Sequence, residues 1–170
     1  MKTGKVIVKP YAPEWQSNFE AIKSELEKAI GGLIVGIEHV GSTSVTGLSA
    51  KPIIDIDVII QDSSVFDSVV NALGNIGYIH EGNLGIADRE AFKYSSKLHL
   101  QQHHLYVCPQ NSTELRRHLV FRDFLRTHPD AVKQYSKVKE DAAALFPDDI
   151  DKYMAYKSSC IEELYSLCGL

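Results

Sequence analysis

Residues 53–60, IIDIDVII, constrain the chain more than any other segment. Six β-branched residues in eight favour a strand, yet two aspartates sit inside the run, and aspartate is a poor strand former. Side chains alternate faces along a strand. Ile54, Ile56, Val58 and Ile60 therefore share one face and turn to a core, while Asp55 and Asp57 share the other. Their Cα atoms would stand roughly 6.6 Å apart. Two carboxylates at that spacing can ligate one divalent cation; without one they repel, each raising the other's pKa. Oxygen-only ligands favour Mg²⁺ or Mn²⁺ over zinc. The plainer reading is an antiparallel strand with one solvated face. The cost of two aspartates among isoleucines tips the balance toward a metal site.

Around this strand the pattern is that of a layered α+β domain. The 170 residues fit one domain, with a sheet-bearing part over 1–109 and a helical part over 110–170. After Pro13, Trp15, Phe19, Ile22, Leu26 and Ile30 recur at helical spacing, and Gly31-Gly32 ends the helix. A strand follows over 33–40, then a loop over 41–52 with Gly47 at its middle. A helix is predicted over 65–76, with Phe66, Val69, Val70 and Leu73 on its buried side and Gly77 as its stop. Strands are expected at 78–81, 91–95 and 103–108, and a short strand or arm at 5–9. Beyond Pro109 the chain is helical. One helix runs from an N-cap at Ser112 to Arg126, a second restarts at Pro129, and a third starts near Asp148 and runs toward Cys168.

Charge excludes some functions. The net charge is −4, which argues against a general nucleic-acid-coating role. Residues 1–85 hold six lysines, no arginine and ten acids. All five arginines lie in the second half, so an anion would draw its arginines from there. The longest apolar and glycine run, nine residues over 29–37, is far below the roughly 20 that a membrane helix needs. The N-terminus has no signal-like core. The three cysteines form no Cys-x-x-Cys pair and read as reduced thiols, so the expected location is the cytosol.

Upstream of the acids, Gly41-Ser42 ends the preceding strand. Glycine there lets backbone N–H groups approach an anion, and the Ser42 hydroxyl can donate to a phosphate oxygen. A Gly-Ser turn, a loop and a strand with Asp-x-Asp resemble the nucleotidyltransferase superfamily. More narrowly, EHVGSTSVTGLSAKPIIDIDV resembles the GrpB family placed within it. YAPEW, GIADREAFKY, HLYVC, ELRRHLVFRDFLRTHPDAVKQYSKVK and YMAYKSSCIEEL extend the resemblance over nearly the whole chain.

The resemblance implies a nucleotidyltransferase-like mixed β-sheet flanked by helices. Gly41 and Ser42 would hold the β- and γ-phosphates of a nucleoside triphosphate, and Asp55 and Asp57 would hold Mg²⁺. A third acid is usual on a neighbouring strand. The candidate strand, HHLYVC, has none, so His104 or His103 would stand in, or Asp88 or Glu90 would supply a carboxylate from the loop. Lys51 would meet a phosphate or pair with Glu38. Arg89, in a glycine-containing loop, is a candidate substrate contact. His118, Arg122 and Arg126 share a helix face, although Asp123 would equally pair with Arg126. Arg122 is singled out because the resembled family carries the same Phe-Arg-Asp block; Lys139 and Lys157 are weaker candidates of the same kind. The expected partners are a nucleoside triphosphate and an unidentified acceptor, with neither nucleic acid nor membrane; a protein partner stays open. The expected activity is Mg²⁺-dependent transfer of a nucleoside monophosphate. The alternative is a catalytically weak nucleotide- or protein-binding accessory module, since resembling domains are also joined to dephospho-coenzyme A kinases.

Overall fold

The computed structural model describes residues 5–170. Its elements, in chain order, are α1 (Glu14–Ile30), β1 (Gly36–Val40), β2 (Ile54–Ile60), α2 (Phe66–Gly74), β3 (Ile79–Gly82), β4 (Glu90–Lys93), β5 (His103–Pro109), α3 (Thr113–Arg126), α4 (Pro129–Leu145) and α5 (Ile150–Leu167). The five strands form one sheet in the order β1-β2-β5-β4-β3. Only β2 and β5 run parallel; the other three pairings are antiparallel.

The main core lies between one sheet face and α1 with α2. Ile54, Ile56, Val58 and Ile60 supply the sheet side, and Phe19, Ile22, Leu26, Ile30, Val69 and Leu73 the helix side. Every predicted apolar position of α1 is buried. In α2, Val69 and Leu73 are buried, whereas Phe66 and Val70 pack only half-buried at the rim. A second cluster joins the 45–48 loop to α3, α4 and α5 through Val45, Leu48, Leu125, Tyr135 and Leu164. The C-terminal helices are thereby tied to the segment following Gly41-Ser42.

Two local expectations need correction. Residues 31–33 form a 3₁₀ turn and β1 starts only at Gly36, because the paired glycines let the helix tighten before the chain reverses. The 5–9 segment takes the arm form of the expected strand or arm: Lys9 bridges Ala50, the Val6 amide donates to the Pro147 carbonyl at 2.7 Å, and Val6 is buried with Ala142 and Tyr153. Asp123 pairs with its neighbour Arg122 at 3.0 Å, not with Arg126, whose guanidinium donates to the Ser44 carbonyl at 2.9–3.0 Å. The predicted N-cap at Ser112 accepts from the Leu115 amide. The three cysteines are free thiols. Among the described residues no helix is long and apolar enough to cross a membrane.

Candidate functional site

Strand register brings the acids to the face opposite the main core. Asp55 lies beside Val40 of β1 and His104 of β5; Asp57 lies beside Glu38 and Tyr106. Helix α3 crosses this face and supplies His118. Each carboxylate already meets an imidazole. His104 Nδ1 is 2.9 Å from Asp55 Oδ1, and His118 Nδ1 is 2.6 Å from Asp57 Oδ2. The other His118 nitrogen lies 3.2 Å from Glu114 one turn back. A carboxylate–imidazole–carboxylate chain thus runs into the sheet.

The two aspartates differ in setting. Asp55 is about a third exposed, whereas Asp57 is fully buried and its Oδ1 has no hydrogen-bond partner. Burial is the main cause that raises the Asp57 pKa, opposed by the His118 hydrogen bond. Burial also pulls His118 down, but the hydrogen bond and charge of Asp57 outweigh it, so His118 is held above its ordinary value.

Gly41 sits where only glycine fits. Its backbone, at φ 72° and ψ −174°, lies in a region closed to residues with a Cβ. A Cβ there would stand 3.0 Å from Asp55 Cβ and Cγ and nearer still to Oδ2. Gly41→Ala is expected to cost on the order of 2–3 kcal/mol in urea unfolding and to displace the Asp55 carboxylate. A variant of wild-type stability would mean that the turn relaxes freely.

Ser42 opens a 3₁₀ turn over 42–44. Its hydroxyl accepts from the Lys139 ammonium. Lys139, on α4, is only 3% exposed and packs over the Tyr135 ring at 4.6 Å. Lys157, on α5, is also buried and packs over Tyr153 at 4.7 Å. Among the described residues neither ammonium has a carboxylate within ion-pair distance. With Lys51, Ser42 and Asp55 they line a cleft of about 180 Å³ that also reaches His104. Burial, with Lys51 adding repulsion, pulls Lys157 down to about 8. Burial, with repulsion from Lys157, pulls Lys139 well below its usual range.

The remaining candidates fall as follows. Arg122 donates to Glu38 at 2.6 Å and to the His39 carbonyl at 3.1 Å, while lining a second cleft with Ser42, Asp55 and His118. Glu38 is therefore the partner of Arg122, while Lys51 lies over the Tyr153 ring at 5.6 Å. Arg89 stacks its guanidinium on Tyr106 at 4.2 Å, and its buried Nε has no hydrogen-bond partner. His103 turns from the acids, buried between the Tyr78 hydroxyl and the Gln101 carbonyl, each at 2.7 Å. Asp88 and Glu90 line a separate cleft with Ile60, Phe66 and Val107, and Glu90 faces His80 at 3.4 Å. Of the stand-ins weighed for the third acid, only His104 reaches the Asp55–Asp57 face. Sequence reasoning left the Asp57–His118 contact unseen; the one signal for it was Glu114 and His118 at i, i+4.

The residues fit magnesium in a limited sense. Among the described residues no group of three or more His, Cys, Asp or Glu is arranged to hold a resident ion. Mg²⁺ needs no such cage when it arrives with a triphosphate; one or two carboxylates suffice, and phosphate and water complete its shell. The orphaned Asp57 Oδ1 is an oxygen that a cation would satisfy.

Comparison with known proteins places this geometry. Residues 5–167 match the family described as GrpB protein. The chain is 34% identical to the UPF0157 protein YqkA of Bacillus subtilis over 93% of its length, and spans just under half (46%) of that protein. It is 32% identical to the Glutamate-rich protein GrpB of Alkalihalophilus pseudofirmus, covering 95% of this chain and 94% of that one. A dephospho-CoA kinase of Mycolicibacterium paratuberculosis matches at 27%, with this chain spanning 44% of it. Among solved structures, the conserved protein GrpB from Enterococcus faecalis superposes with a TM-score of 0.83 at 34% identity, over 95% of this chain and 96% of that one. The Cid1 poly(U) polymerase, solved bound to MgATP, gives 0.54 at 12% identity over 77% of this chain and 45% of that one, a likeness of fold alone. The sheet, the acids on β2 and the Gly41-Ser42 turn thus sit in a nucleotidyltransferase-like fold, and the chain belongs to the GrpB family.

Proposed function

We propose that the chain transfers a nucleoside monophosphate from a nucleoside triphosphate to a hydroxyl or amine acceptor, with Mg²⁺ required. The observation that carries this reading is the buried lysine pair. Burying two ammonium groups without a counter-charge is costly. It is reasonable where a polyanion supplies the charge on binding. The lysines converge on Ser42, beside the one strand that presents two acids.

Ser42 would donate to the triphosphate's outer phosphates, with Lys139, Lys157 and Lys51 balancing their charge. Asp55 and Asp57 would hold Mg²⁺, which when bound polarises phosphoryl oxygens and offsets developing charge. Asp55 fixes His104 through Nδ1, leaving Nε2 to take the acceptor's proton and pass it to solvent. Arg122 keeps Glu38 and the end of β1 in register with α3, and Arg89 adds positive potential beside Asp57.

Thermal unfolding with each triphosphate, with and without Mg²⁺, tests the reading. Saturation at a hundredfold over Kd adds about 2.7 kcal/mol, roughly 5–10 °C for a domain of this size. Asp55→Asn should abolish the Mg²⁺-dependent part. A folded protein that shifts with no triphosphate would sink the proposal.

A second reading rests on one observation: histidines already occupy one oxygen of each aspartate, and among the described residues no third carboxylate completes a metal-holding group with them. This favours a domain that binds nucleotide without turning it over. Pyrophosphate release separates the two, since a binding module shows the thermal shift and releases none.

A further inference from the structure

His104 stands between two clefts. One is the lysine cleft described above. The other, about 530 Å³, lies where β3, β4 and the start of β5 meet the 95–102 segment. His104 is the one described residue lining both. Its Nδ1 is committed to Asp55, and its side chain is half exposed. A molecule seated in the second cleft therefore lies on the far side of His104 from the lysines, against the imidazole that Asp55 holds.

The lining sets the chemistry. Tyr94, Leu98 and Leu100 give an apolar wall, and Leu98 is 97% exposed. The charges cancel. Lys97 is already paired with Glu25 at 3.1 Å, and the exposed Lys93 is matched by the exposed Glu81. A polynucleotide needs unneutralised cations along its path, and a cationic amine needs surplus negative charge; neither is offered. The volume falls within the usual range for small-molecule sites, roughly 300–1,000 Å³.

We propose that this cleft is the acceptor site, and that the acceptor is a neutral alcohol with an apolar body. The inference rests on the nucleotidyl-transfer reading. The alcohol oxygen attacks the α-phosphorus and a new O–P bond forms. The bond from that phosphorus to the bridging oxygen breaks, its electron pair leaves with pyrophosphate, and the hydroxyl proton passes to solvent. The products are a nucleoside monophosphate ester and pyrophosphate.

The test is amide NMR titration of the labelled full chain with 2-phenylethanol, with 2-phenylethylamine and the dinucleotide UpU as comparisons. The alcohol is expected to move the amides of Leu98, Leu100, Gln102 and His104 saturably. Leu98→Ser, a change at an exposed side chain, should weaken it about tenfold and leave the Mg²⁺-dependent triphosphate shift intact. The inference is overturned if the alcohol moves none of these amides, if Leu98→Ser leaves its affinity unchanged, or if the amine or UpU binds the cleft as tightly. Alcohol binding without any triphosphate shift in the wild type would overturn the acceptor role and the parent reading together. A triphosphate shift without alcohol binding would overturn the acceptor site alone.

Discussion

Replacing Lys139 with methionine is expected to make the protein more stable and less able to hold a triphosphate. Lys139 is buried, without a carboxylate partner, and pushed well below its usual pKa by burial. Replacing a buried ion pair by apolar side chains of similar volume is often neutral or stabilising by about 1–4 kcal/mol, and an ammonium with no carboxylate partner lacks even the pair's mutual attraction. The lost contacts are the Ser42 hydroxyl and the Tyr135 face, so a net gain of roughly 1–3 kcal/mol is expected. Urea unfolding of Lys139→Met, beside the exposed control Lys133→Met, measures it. The same variant should lose most of its triphosphate-dependent thermal shift. Opposite signs in the two measurements mark a residue kept for binding rather than for the fold. A loss of stability typical of a core substitution, with binding intact, would show that Lys139 is structural.

Lys157 makes the same point through pH. Its folded pKa is lowered to about 8, first by burial and then by Lys51, while the unfolded chain keeps the ordinary lysine value. Between those values the unfolded state binds more protons, so stability rises with pH. Burial raises Tyr135, Tyr153 and Tyr165, which works the other way once the unfolded tyrosines ionise near pH 10. Burial also raises Cys108, Cys160 and Cys168, whose unfolded thiols ionise near pH 8.5 and oppose the rise, so the Lys157 share is read as the difference between wild type and Lys157→Met from about pH 8 upward. Triphosphate binding should fall over the same interval, because the anion requires the charged form.

Much of this arrangement was legible in the sequence because it is set by local periodicity. The alternation of residues 53–60 puts Ile54, Ile56, Val58 and Ile60 in the core and Asp55 with Asp57 opposite, as the sheet has it. Trp15 to Ile30 at helical spacing gave α1 its buried stripe. Glycine at 41 is expected to let backbone N–H groups approach an anion; the structure gives glycine there another reason, a φ of 72° and the Asp55 side chain where a Cβ would stand.

What stayed hidden depends on long-range placement. No spacing rule brings His118, 61 positions along, onto Asp57, or Lys139, 97 positions along, onto Ser42. The choice between His103 and His104 turns on strand register, since neighbouring residues face opposite ways. Glu38 sits opposite Asp57 only because β1 pairs antiparallel with β2, and that pairing commits Arg122 to Glu38. The helix-face grouping of His118, Arg122 and Arg126 was sound, but its basic character is spent largely on protein partners: Asp57, Glu38 and the Ser44 carbonyl.

His118→Ala should be the most destabilising single change at the site when no divalent cation is present. It removes the partner of a fully buried carboxylate whose other oxygen is already orphaned. Breaking a buried pair from one side costs about 3–5 kcal/mol; the raised Asp57 pKa lets protonation relieve part of this, so about 3 kcal/mol is expected near neutral pH. Asp57→Asn in the same background should recover a large share, because the stranded charge is gone, and a double-mutant cycle measures that coupling. The pH dependence follows from His118. A histidine held above its ordinary value stabilises the fold below that value and loses the contribution as pH rises through the folded one. The wild type should therefore lose stability from about pH 6.5 upward, and His118→Ala should lack that decline. Magnesium separates the readings of the acids. If Asp55 and Asp57 form a cation seat that His118 partly fills, Mg²⁺ should stabilise His118→Ala more than the wild type, since cation and imidazole compete for the same carboxylate. If Mg²⁺ leaves both proteins equally unmoved, the aspartates are anchors for the two histidines, and the triphosphate must be held by Ser42 and the lysines alone.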